Sequence, residues 1–191
     1  MKGIVFNLLE QVVIDEHGED AWDRILESAG QEGAYTAVGS YADEQFMALV
    51  GSAVEQLGVE PDDLVRWFGK RSMPLLAARY PAFFEGHTST RSFVLTLNDV
   101  IHPEVRKLFP GADVPVFEFT TPDDRTVELA YVSSRKLCSF AEGLVEGAAE
   151  HFGESVDLKQ TECMKRGDSR CVLVCAFAPA SKADGRMSVD A

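Results

Sequence analysis

The sequence predicts an α+β fold in which a helical N-terminal part packs on a four-stranded antiparallel sheet with one crossing helix. Three observations carry this reading. Apolar residues recur at spacings of three and four over the first two-fifths of the chain, and after Gly111 they switch to alternation. The alternating region is then interrupted once by helical spacing, from Leu137 to Phe152.

The first helix follows from Val5, Leu8, Leu9, Val12 and Val13, which share one face. A second runs from about Asp20 to Ala29, with Gly30 as its C-terminal stop. A third starts near Asp43, turns Phe46, Met47, Val50, Val54 and Leu57 inward, and ends at Gly58. Pro61 suits the first turn of a fourth helix whose buried side carries Leu64, Val65 and Phe68. Shorter helical pieces between Pro74 and Pro110 are broken by Pro81 and Pro103. A residue before proline is pushed away from helical geometry, so His102 is expected at a joint.

Val114 to Thr120 and Thr126 to Ser133 alternate as strands, with turn chemistry at Thr121, Pro122, Asp123 and Asp124. In the crossing helix Leu137, Phe140, Ala141, Leu144, Val145, Ala148 and Phe152 face inward, and Glu142, Glu146 and Glu150 are expected outward. Two further strands, about Ser155 to Cys163 and Arg170 to Phe177, flank a turn containing Gly167 and Asp168. These elements make one domain over 1–180, helical over about 1–60 and sheet-containing over about 61–180. Small polar residues over 181–191 read as a disordered tail.

At 191 residues and 46% hydrophobic content, the chain can bury about 70% of its unfolded surface in one core. Its formal net charge of -13 repels phosphate backbones and anionic membranes, so neither is an expected partner. The stretch from Met1 to Leu9 lacks the cleavage site of a secretory signal, and no apolar run reaches the ~18 residues of a membrane span. The expected location is cytoplasmic, where four cysteines read as thiols or metal ligands before disulfides.

Two groups of residues carry chemistry. Tyr131, Ser133 and Arg135 alternate, which would set a phenol, a hydroxyl and a guanidinium on one face. Such a set suits a pair of carboxylates, and an ordinary solvated edge strand is the alternative. His102 lies among Val100, Ile101 and Val105, where a neutral imidazole could ligate iron or simply bond a carbonyl in the core. His17, His87 and His151 sit among charged or small residues and read as surface positions.

The segment NDVIHPEVRKLFPGADVP from Asn98 to Pro115, YVSSRKL from Tyr131 to Leu137, the opening MKG and the later GLVEGAAEHF resemble the H-NOX (haem nitric oxide/oxygen binding) family. The resemblance runs along nearly the whole chain and implies the H-NOX fold with haem b (iron protoporphyrin IX). It further implies that His102 is the proximal iron ligand, that Tyr131, Ser133 and Arg135 hold the propionates, and that Pro115 presses on the macrocycle. Where some relatives carry an oxygen-binding tyrosine this sequence has Phe140, and Leu9 and Ser72 match the other members of that hydrogen-bonding group. A pocket of Val5, Leu9, Leu76, Phe140 and Leu144 offers no donor to polarised dioxygen. Nitric oxide and carbon monoxide are therefore the expected ligands.

By the same resemblance the protein is a sensor and not an enzyme: the pocket has no distal acid or base for oxygen chemistry. Nitric oxide is expected to break the bond from iron to His102, and the signal to pass to a separate histidine kinase or diguanylate cyclase. A haem-free module of similar fold, binding a small acid or zinc, is the alternative. Some relatives hold zinc through three cysteines and a histidine, and the histidine position here is Gln160. Cys138, Cys163 and Cys171 would then need Cys175 as fourth ligand, although residues four apart on a straight strand are separated by about 13 Å. Zinc, buried free thiols and a redox-switched pair stand as the alternatives.

Overall fold

The structure is a computed structural model and describes residues 1–180; the expected tail lies outside them. Four helices come first: α1 (Gly3–His17), α2 (Glu19–Ala29), α3 (Asp43–Leu57) and α4 (Pro61–Arg79). Gly30 and Gly58 end α2 and α3 in the left-handed region, at φ of 65° and 64°. Pro61 opens α4, where its missing N–H costs nothing. The buried faces of these helices meet around Phe6, Phe46, Leu49 and Phe68.

A short helix α5 (Thr90–Val94), a π-helical turn over Leu97–Ile101 and α6 (His102–Leu108) lead to the sheet. Its strands are β1 (Val116–Thr120), β2 (Thr126–Val132), β3 (Glu154–Glu162) and β4 (Cys171–Pro179), with α7 (Cys138–His151) between β2 and β3. The sheet is antiparallel throughout, in the order β1-β2-β4-β3. Phe117, Val127, Leu129, Tyr131, Leu173, Cys175 and Phe177 are buried in one core with Val145 and Ala148 of α7. Among the described residues no helix is long and apolar enough to cross a membrane.

The outward placing of the α7 glutamates is corrected. Glu142 is buried and Glu146 half-buried; Glu150 alone is exposed. The cause lies in the residues between them. A Cβ on Gly143 would stand 1.9 Å from the Arg66 carbonyl oxygen, and one on Gly147 2.6 Å from that of Lys70. With hydrogen in place of Cβ, α4 closes directly over α7, and Arg66 pairs with both Glu142, at 3.4 Å, and Glu146. The helical part is thereby fastened to the helix that covers the sheet.

Candidate functional site

His102 owes its place to Pro103. Proline has no N–H to continue the helical ladder, and its ring crowds the carbonyl four residues back. The preceding turn widens accordingly: the Ile101 N–H reaches the Thr96 carbonyl at 3.1 Å, and the His102 N–H reaches Leu97. His102 itself keeps helical angles, with φ of -66° and ψ of -36°, so the joint is a change of helix pitch and the expected exit from helical geometry is not seen. Asn98 anchors the wide turn to β1, donating to the Phe117 carbonyl at 2.6 Å and accepting from its N–H at 3.0 Å. The Phe117 ring then lies 5.8 Å from the imidazole.

The imidazole faces a cavity of about 440 Å³ whose wall also includes Pro115, Tyr131, Ser133, Arg135, Val5, Leu76, Phe140 and Leu144. That volume is in the range of a cofactor pocket. Nδ1 of His102 is buried and has no hydrogen-bond partner among the described residues. Burial holds the ring below the ordinary histidine pKa, against the opposing pull of the Pro115 carbonyl, and Arg106 adds to the lowering. The ring is thus neutral near pH 7 and has a nitrogen lone pair to give a metal.

Tyr131, Ser133 and Arg135 do converge on the cavity, but not by strand alternation. β2 ends at Val132, and Ser133 and Arg135 belong to a turn closed by the Lys136 N–H on the Ser133 carbonyl at 3.1 Å. Lys136 adopts φ of 51° to make that turn. Ser133 Oγ accepts from the Arg135 N–H at 3.2 Å. Burial raises the Tyr131 pKa, with Ser133 and the Leu137 backbone opposing, so the phenol keeps its proton and can donate. Arg135 donates through Nε to Asp43 at 2.7 Å and through Nη1 to Asp113 at 3.0 Å. Neither aspartate is signalled by the local sequence, because each reaches Arg135 from a distant element.

Other wall residues also went unmarked. Met73 and Tyr80 line the cavity with Leu76, and their spacing of three and four along α4 was a legible signal. The rings paired with Tyr80 are Phe83 and Phe109, not Phe140. Leu9 must be reassigned: it lines a separate groove between α1 and α4, because a full helical turn beyond Val5 carries it past the cavity. Ser72 is buried and its hydroxyl donates to the Phe68 carbonyl at 2.8 Å, which leaves it no proton for a ligand.

The cysteines divide three and one. Sulfurs of Cys138, Cys163 and Cys171 lie within 4.8 Å of one another, and Cys175 is not among them. Cys175 faces Val127 and Leu158 in the middle of the sheet, since β4 runs straight on from Cys171. A bulge between Gln160 and Glu162 sets Gln160 opposite Leu173. The proposed four-cysteine zinc set is therefore not assembled, and three thiolates do not close the tetrahedral coordination of a structural zinc. Burial pushes the Cys171 and Cys175 thiols up to about 12. Burial also pushes Cys163 up, but hydrogen bonds from the Lys165 and Arg166 backbone and from Cys138 and Cys171 outweigh it, and its pKa falls below the ordinary value.

A ligating imidazole, an apolar cavity and three donors at its edge match a metal macrocycle with two acid arms. The family model described as Haem-NO-binding matches residues 2–160. An H-NOX protein from S. oneidensis, solved in its Fe(II)NO state, is 32% identical; the match covers 93% of this chain and 99% of that one, with a TM-score of 0.88. An H-NOX domain from Shewanella oneidensis in its Fe(II)CO state is likewise 32% identical over 93% and 99% of the chains, with a TM-score of 0.85. An unliganded Fe(II) H-NOX variant from K. algicida is 26% identical over 93% and 97%, with a TM-score of 0.84. The chain belongs to the haem-NO-binding, or H-NOX, family.

Proposed function

We propose that this chain is a haem-based sensor of nitric oxide and carbon monoxide that excludes dioxygen and signals to a separate protein without catalysing a reaction. The observation that carries it is the unpartnered Nδ1 of His102 beside the cavity. A buried imidazole nitrogen without a partner is rare in a finished core, and a metal bond would satisfy it.

Ferrous haem would supply the iron that binds the gas. His102 would hold that iron, Tyr131, Ser133 and Arg135 would hold the propionates, and Pro115 would press on the ring. Val5, Leu76, Phe140 and Leu144 present only hydrocarbon to the cavity. Dioxygen bound to iron becomes polarised and needs a donor, whereas nitric oxide and carbon monoxide do not. When nitric oxide binds, His102 lets go, and the helical part shifts relative to the sheet. A histidine kinase or diguanylate cyclase would read that shift.

The test is optical. Purified protein, supplied with hemin if necessary, should show a Soret band, and the ferrous form should resist conversion to an oxygen complex in air. His102→Gly should retain gas binding with imidazole added while losing the gas-dependent conformational change. A protein that stays colourless with hemin overturns the reading.

A further inference from the structure

A groove of about 630 Å³ opens between α1, α2, α3 and α4, separate from the central cavity. Its rim is exposed and partly polar, with Arg24, Ser28, Gln56 and Leu57, whereas its floor is buried hydrocarbon from Leu9, Val50, Ala53 and Phe68. The floor has no polar side chain to hold water. Such hollows stay dry and take up xenon and other small apolar molecules.

The same helices line both spaces in succession. On α1, Val5 and Leu8 face the cavity and Leu9 and Val13 the groove. On α3 Phe46 faces the cavity and Val50 the groove; on α4 Leu76 faces the cavity and Phe68 the groove. At the partition the Phe68 ring stacks on Phe140 at 5.0 Å and lies 6.0 Å from Phe46. Phe140 is only half-buried, because its other face borders the cavity.

We infer that the groove is a docking site for small apolar gases, from which they pass to the central cavity across the Phe68–Phe140 stack. The passage rests on the gas-sensing reading above; the docking site does not. A nearly non-polar diatomic molecule gains by leaving water for the floor. A swing of the half-buried Phe140 ring would then open the partition.

Xenon dissolved under pressure should shift the methyl signals of Leu9, Val13, Val50 and Val65 in NMR spectra of the full chain, with or without haem. Ser28→Trp and Leu57→Trp, both on the exposed rim, should slow carbon monoxide association and dissociation by the same factor, roughly three-fold or more, with the Soret band and the affinity unchanged. A blocked route alters both rates and leaves the equilibrium alone; damage to the haem site alters the affinity. Floor methyls that ignore xenon overturn the docking site. Unaltered carbon monoxide rates in both variants overturn the passage. Loss of the Soret band in the parent protein overturns the functional reading and the passage with it, and the xenon shifts still decide the docking site.

Discussion

The Asp43 carboxylate on α3 accepts from Nε of Arg135 at 2.7 Å, so the guanidinium that faces the cavity mouth is held from the helical part of the chain. Nη1 is taken by Asp113, and Nη2 remains for a ligand carboxylate. Asp43→Asn should leave Arg135 in place but less well oriented. Both groups are partly exposed, so the expected cost is about 1 kcal/mol, or roughly five-fold faster haem loss to a scavenging globin.

Phe140→Tyr would set a phenol on the hydrocarbon side of the cavity. A donor to polarised dioxygen is worth about 1.5–3 kcal/mol, so oxygen affinity should rise roughly ten- to a hundred-fold. Optical titration of the ferrous variant with oxygen measures this, and carbon monoxide affinity should change far less.

Gly143→Ala would press a methyl into the Arg66 carbonyl, 1.9 Å from its Cβ, and neither backbone can yield without parting α4 from α7. Alanine is intrinsically the better helix former by about 1 kcal/mol, so the net loss should be about 2 kcal/mol. Thermal unfolding should show Tm falling by roughly 4–8 °C.

Glu142 carries a sign that can be checked against pH. Burial raises its pKa above 4.5, Arg66 pulls it down, and Glu146 and Asp62 raise it again, with the net shift upward. A carboxyl that holds its proton more firmly when folded contributes stability below its unfolded pKa and loses it as pH rises through the folded value. Glu142→Gln keeps the neutral form at every pH. It should therefore unfold at a higher temperature than the parent above that value, with the difference closing as pH falls to about 4.5.

Cys138 and Cys163 have sulfurs 3.9 Å apart, and Cys163 is the thiol with the lowered pKa. Diamide, a thiol oxidant that accepts the two hydrogens, should join these two first. Peptide mapping after alkylation should show the Cys138 and Cys163 peptides linked, and Cys175 alkylated as a free thiol once the chain is unfolded.

Wherever the physics is local, the chain could be read directly. Pro61, Gly30 and Gly58 set helix ends because ring closure and left-handed backbone act within a turn. Alternation gave four strands to within two residues, and the spacing around Leu137 to Phe152 gave the crossing helix. His102 and the Tyr131, Ser133, Arg135 group were legible as chemistry because their side chains are unusual in their surroundings, though family resemblance was needed to join them.

What the tertiary structure decided is everything that depends on approach between distant segments. Glu142 became buried because Gly143 and Gly147 admit α4, and α4 lies some seventy residues away. Leu9 left the cavity because the partition follows Phe46, Phe68 and Phe140, three rings from three helices. Cys175 was excluded from the sulfur cluster because β4 continues straight where a fourth ligand would need it to bend. Periodicity states which face of an element is apolar; packing alone states what that face meets.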